Sequence, residues 1–465
     1  MAGPEEKKDV VRAQPLASIY RLPNIRWFIL FRVFFNARFY YPVFTILFLD
    51  FGLSLEQFAL LNTVWAVTIV LAEVPSGALA DLLGRKQLLV ATSLLMVAEM
   101  SLLAFVPLAH PQWVFAAFLG NRILSGLAEA MASGADEALA YDTLVAHGMA
   151  KQWPRVLEVQ MRAQNLGYIF AMTIGAAVYD PGLVNRVVAW LGGGWEVDQQ
   201  ISMRFPLYLT LVFALLALVT TLRMEEPDNG RSKGETGDVS LWELSRLTLQ
   251  AGKWILHTPL ALAVILFGMT FDHTLRMIVT LTSKYYRLIG LPEASFGLLG
   301  SMVAVVGLFV PQLARWMSER FSPGRNAGIL SVAMVGVLFL LALFLPYVGV
   351  LPMVAVFIGM MLTSFFTSHY LNSLTSSRQR ATVLSFKGLA FNAAYGFIGV
   401  VFATLVQHFR EGQQALHPGW SGGMLEDQAF KMTLGCLPWY LILGLSIVGV
   451  LSIPRIWRSQ SGKNS

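Results

Sequence analysis

The chain has little of what a soluble enzyme needs. Only 13% of its 465 residues are charged, about half the share found in soluble domains. It has one cysteine, Cys436, set in an apolar stretch. No internal disulfide can form, and this thiol reads as a small buried hydrophobe. No Cys/His cluster has metal-ligand spacing. No Gly-rich loop ending in Lys-Ser or Lys-Thr marks a phosphate site, and no Ser/His/Asp set stands out on a loop. These absences argue against an enzyme, a metal, a cofactor, and ATP-driven work by this chain alone. Linkers that would divide the chain into several soluble cores are missing as well. The first 26 residues lack the apolar core and small-residue cleavage site of a signal peptide, so the first apolar run is expected to remain as an anchor.

What is present is apolar: 55% of the residues are hydrophobic. They fall in runs of about 20, the length a helix needs to cross a bilayer. Backbone in lipid must satisfy its own hydrogen bonds, so the runs are helices. The pattern predicts an all-α, polytopic membrane protein with twelve spans in two six-helix bundles. The expected spans are 27–50, 57–79, 88–108, 113–134, 157–180 and 203–222, then 259–283, 294–314, 327–345, 350–370, 382–406 and 433–454.

Lys and Arg test that topology. With the N-terminus inside, the inner segments hold 22 of them and the outer segments 6. This is a strong positive-inside bias. Both termini are therefore expected in the cytoplasm, in a cell (inner) membrane, and the net charge of +6 is a topology signal rather than a nucleic-acid footprint. Five regions follow: an N-terminal cytoplasmic segment (1–26), a six-helix bundle (27–222), a cytoplasmic linker (223–258), a second bundle (259–454) and a tail (455–465). The linker opens with "RMEEPDNGRSKGETGD", polar and turn-rich. "VSLWELSRLTLQAGKWIL" follows with helical apolar spacing, as in an amphipathic helix on the membrane surface. A weak echo links the halves: "ADLLGRK" follows the second span and "SERFSPGRN" the eighth.

The stretch "GALADLLGRK" (77–86) lies between the second and third spans. Gly77 lets helix backbones approach closely. Gly84 permits a sharp reversal. Asp81 at a helix end needs a partner, and Arg85 and Lys86 hold the loop inside. This stretch resembles the signature loop of the major facilitator superfamily, Gly-x-x-x-Asp-Arg-x-Gly-Arg-Arg, through Gly77, Asp81, Gly84, Arg85 and Lys86. Leu82 departs from it. "RILSGLAEA" in the fourth span is similar to the family's Arg-x-x-x-Gly segment through Arg122 and Gly126. Twelve spans, a central linker and inner termini also fit. "NLGYIFAMTIGAAVYDPG" lacks the proline of the Gly-Pro-rich motif found in the family's drug/proton antiporters, which lowers that reading. The resemblance implies a secondary transporter and an inner-gate latch in which Asp81 and Arg85 join the halves when the protein faces outward. Asp136 and Glu137 are candidate partners for Arg85. It also implies that Arg122 assists proton coupling; the competing reading is an ion pair that only neutralises charge.

Ionisable groups inside spans are costly unless they face a cavity or a partner. Arg32, Arg162 and Lys387 lie near inner ends and can snorkel. Arg38, in "FFNARFYYPVF", is too deep for that, and Pro42 can bend its helix. It is expected to face a cavity rather than serve as a structural ion pair. Arg122, Gly126 and Glu129 share one helix face. In "FDHTLRMIV", Asp272 and Arg276 are spaced to pair, and a carboxyl at that depth can take up a proton. His273 ranks below Asp272. Glu99 has no evident partner and is a second proton candidate. Tyr40, Tyr41 and Tyr395 are candidates for a cavity border, and Asn392 for a substrate hydrogen bond.

The expected function is proton-coupled movement of a small organic solute, with Arg38, Arg122 and Arg276 favouring an anionic group, by a protein acting as a monomer in the bilayer. Two other readings stay open: export of amphipathic drugs or lipids, and a non-transporting receptor or scaffold using 181–202 and 407–432 as partner surfaces.

Overall fold

A computed structural model describes residues 16–226, 252–375 and 377–461. Within these ranges Gly77 and the side chain of Asp81 lie outside the described residues, as does 227–251, most of the expected linker.

Among the described residues, twelve helical columns run up and down. In the first half they are α1 (Pro23–Asn36) with α2 (Phe44–Asp50), α3 (Leu55–Leu83), α4 (Arg85–Phe105), α5 (Pro111–Ala132) with α6 (Ala135–Ala146), α7 (Trp153–Tyr179) and α10 (Phe205–Arg223). Between the last two, α8 (Pro181–Trp190) and α9 (Gln199–Ser202) cap the end. A helical stretch at 252–257 (α11) leads into the second half. There the columns are α12 (Pro259–Thr280) with α13 (Thr282–Leu288), α14 (Ala294–Gly307) with α15 (Val310–Arg320), α16 (Pro323–Leu341), α17 (Val350–Leu374), α18 (Ser377–Leu416) and α19 (Gly422–Ser461). Ten of the described helices are long and apolar enough to cross a bilayer, and α7 with α8, bent by 84°, makes an eleventh. The broken first column completes the twelve. Apolar side chains such as Leu71 and Val332 point outward, 69% and 77% exposed, as a lipid-facing surface requires.

Most of the segment 407–432, which the sequence reading places outside the spans, is helical. Helix α18 continues to Leu416 and α19 starts at Gly422. The polar residues there ride on helix ends, because hydrogen bonding within a helix does not stop where lipid does.

Two breaks matter for the site. The first column unwinds at 37–40 and restarts through a 3-10 turn, Tyr41–Val43, that contains Pro42. Proline has no N–H to give to the preceding turn. The N–H of Phe39, which lies in the unwound segment with no helical acceptor, donates to Thr210 Oγ1 at 3.1 Å. The Phe39 carbonyl presses so closely on α7 that a Cβ at Gly175 would run into it. The seventh column breaks at Leu281, between α12 and α13. Each half thus begins with a discontinuous helix, the kind of element that builds binding sites in transporters.

The end carrying the start of α1 and the α10–α11 connection is called the base, and the opposite end the top. The halves meet along two seams, α3 against α18 and α7 against α14.

Candidate functional site

A cavity of about 280 Å³ lies between the halves. Its wall combines Arg38, Tyr41, Phe44, Trp65, Arg122 and Glu129 from the first half with Arg276, Tyr286, Phe296, Phe357 and Tyr395 from the second. Tyr40 lines it as well, so all three tyrosines singled out in the sequence border it.

The breaks and helix faces set the charges. The unwound segment aims Arg38 inward, where it pairs with Glu99 of α4; the two side chains are 5% and 0% exposed. Arg38 is therefore both a cavity residue and an ion pair, where the sequence reading sets the one against the other. Glu99, which has no evident partner in the sequence, has Arg38, and it also accepts from Asn121 Nδ2 at 3.5 Å. Asn121 in turn holds Arg122: its Oδ1 accepts from Nε at 3.0 Å and Nη2 at 2.6 Å. The Arg122 guanidinium lies over Phe44 and Phe48, 5.3 and 5.6 Å from their ring centres. Glu129 shares its helix face and lines the cavity, exposed to it.

On the second half, Arg276 pairs with Asp272 as the spacing predicts. Its Nη1 donates to Asn392 Oδ1 at 2.9 Å, and its guanidinium lies 5.2 Å from the centre of Tyr395. Asp272, Arg276 and Asn392 form one cluster. His273 turns away: Nε2 meets Tyr440 OH at 2.8 Å.

The loop residues are placed differently. Gly84 has φ +92° and starts α4, a left-handed conformation that suits glycine. Arg85 pairs with Asp142 and donates to the Ala138 carbonyl at 2.9 Å. Asp136 and Glu137 do not serve Arg85; they take Arg32, at 3.2 and 2.9 Å. The α5–α6 break at Gly134 turns them toward α1. Arg32 is thus paired rather than snorkelling. Arg162 is exposed and pairs with Glu158 at 2.6 Å. The backbone N–H groups of Arg85 and Lys86 donate to Glu226, at 3.1 and 2.7 Å. This acid at a helix start follows α10 and was not found from sequence.

The top is sealed across the halves. Asp50 of α2 accepts from Arg287 Nη1 and Nη2, both at 2.7 Å, and from Tyr179 OH. Arg287 Nε also donates to Glu293 at 2.8 Å. The N–H of Leu55 donates to Glu426 at 2.9 Å, and Arg410 reaches Glu56 at 3.2 Å. Lower down, Thr63 Oγ1 donates to the Gly396 carbonyl at 3.1 Å, and Thr173 meets Ser301 at 3.0 Å. Among the described residues, the cross-half hydrogen bonds and ion pairs run from mid-depth to the top.

A family model described as the Major Facilitator Superfamily matches residues 26–400. The quinolone resistance protein NorA of Staphylococcus aureus (strain N315) is 22% identical over 300 residues, covering 63% of this chain and 68% of that protein. A crystal structure of a bacterial homolog to the human lysosomal transporter Spinster, inward-facing and unoccupied, superposes with a TM-score of 0.68. It has 16% identity and covers 95% of this chain and 98% of that one. The D-xylose-proton symporter gives 0.62, with 12% identity over 92% and 97%. At such identities the structures establish a common fold.

Proposed function

This chain belongs to the Major Facilitator Superfamily, and from that premise we propose that it moves a small organic solute bearing an anionic group, coupled to protons, by alternating access. The observation that carries this reading is the cavity walled by both halves, with Arg38, Arg122 and Arg276 in its wall. The halves would rock about it so that it opens to each side in turn. With the top tied shut, the site would open toward the base. The Lys and Arg distribution supports a cytoplasmic base in a cell membrane. The loop 77–86 would then latch the base in the opposite state, and in the present one Arg85 has its contacts within the first half.

Asp272 is the proposed proton carrier, with Glu129 on the first-half wall or Glu99, buried behind Arg38, as the second carboxyl. Arg276 would hold the Asp272 carboxylate and release it when a proton arrives. Asp272→Asn is expected to reduce pH-gradient-driven flux in proteoliposomes to background while gradient-free exchange continues. Gradient-driven flux at the wild-type rate would remove Asp272 from the mechanism.

Export of amphipathic compounds is the second reading. It is favoured by the likeness to a quinolone resistance protein and by the aromatic wall. Competition by bulky hydrophobic cations supports it; indifference to them supports the anion reading.

A further inference from the structure

The cavity wall holds four charged side chains, Arg38, Arg122, Glu129 and Arg276. Two are paired with acids: Arg38 with Glu99 and Arg276 with Asp272. Arg122 is different. It is 4% exposed, yet among the described residues no carboxylate pairs with it. Its Nε and Nη2 are fixed by the neutral Asn121, and its Nη1 makes no hydrogen bond there. Glu129 lies seven residues on, about 10 Å along the helix, and among the described residues no ion pair joins the two; the Arg122 hydrogen bonds go to Asn121. Arg122 is a cation held in place by a neutral amide and two phenylalanines. A desolvated charge without a fixed counter-ion is costly, and an anion brought in by the solute relieves that cost.

Resting on the transporter reading above, we infer that the site takes a planar aromatic monocarboxylate, with its carboxylate on Nη1 of Arg122. The ring would lie among Tyr41, Phe44 and Trp65 of the first half and Phe357 and Tyr395 of the second. Trp65 and Tyr395 already meet edge to face across the halves, 6.4 Å between centres. A ring laid against this pair touches both halves at once. Space of about 280 Å³ is at the lower end for small-molecule sites, which suits one ring with short substituents. A second carboxylate finds no free cation: Arg38 and Arg276 are paired, and Glu129 repels it. An amine would have to sit beside Arg122.

The test is equilibrium binding of labelled benzoate to the purified full chain, with melting temperature as a parallel readout. Benzoate is expected to bind and raise the melting temperature. Cyclohexanecarboxylate should bind about 2- to 10-fold more weakly, the share owed to ring–ring contact. Phthalate and benzylamine should not compete. Arg122→Gln should weaken benzoate binding by about 10- to 100-fold, the effect of one charge-assisted hydrogen bond. Arg122→Lys should recover part of it. Melting of each unliganded variant checks that it folds. Absence of benzoate binding to wild type, unchanged binding by Arg122→Gln, or competition by benzylamine overturns the inference. Proteoliposome flux separates this from the transporter reading. Binding through Arg122 without flux sinks transport and leaves the site; flux of other solutes with no benzoate binding sinks the site and leaves transport.

Discussion

Arg38→Met is expected to destabilise the protein by about 3–5 kcal/mol, and adding Glu99→Gln should return most of that loss. The asymmetry follows from burial. Arg38 and Glu99 face each other with almost no exposure. Taking either ion out of water costs several kcal/mol, and their mutual attraction offsets it only while both are present. Methionine fills much of the arginine volume without its charge, so the single variant leaves the buried Glu99 carboxyl without its counter-ion. Glu99→Gln removes that charge and keeps an acceptor for Asn121, whose Nδ2 also donates to the Glu99 carbonyl at 3.2 Å. Denaturation of wild type, both single variants and the double variant in detergent measures the coupling. A single Arg38→Met variant as stable as wild type would mean that the pair is solvated.

The second large effect concerns motion. Gly297→Val should shift the balance away from the top-closed state by about 10- to 100-fold, the range expected for overpacking a tight contact. A Cβ at position 297 would run into the Met172 carbonyl oxygen and stand 2.8 Å from the Thr173 Cα. Those atoms belong to α7 of the other half, so the seam can close only without a side chain there. Gly399 plays the same part on the second seam, where a Cβ would meet Thr63 Oγ1. The chain has one native cysteine, so Cys436→Ser provides a clean background. Thr173→Cys in that background should react faster with an impermeant thiol reagent from the top once Gly297→Val is added. Equal labelling rates, with transport intact, would show that the seam tolerates separation.

Some of the site was readable from local spacing. Asp272 and Arg276 are four residues apart on a helix, so their pairing follows from helix geometry alone. The reversal at Gly84 follows from its freedom at positive φ. Arg38 and Glu99 are 61 residues apart, and nothing local links them. Asp136 and Glu137 are nearer Arg85 than Arg32 in sequence, yet the Gly134 break turns them to Arg32. Glu226 meets the start of α4 from 140 residues away. The latch residues Gly77 and Asp81 remain readings of the loop pattern.

Apolar runs, turn residues and the Lys/Arg bias determined by themselves that the chain is helical, spans a membrane and has two halves. Lipid offers backbone no other partner, so hydropathy alone is enough for that conclusion. Only the tertiary structure decided which buried charges neutralise one another and that, among the described residues, no carboxylate pairs with Arg122. Coulomb energy changes steeply over a few ångströms, and those distances depend on how each helix is rotated and staggered against its neighbours, which an apolar run does not record.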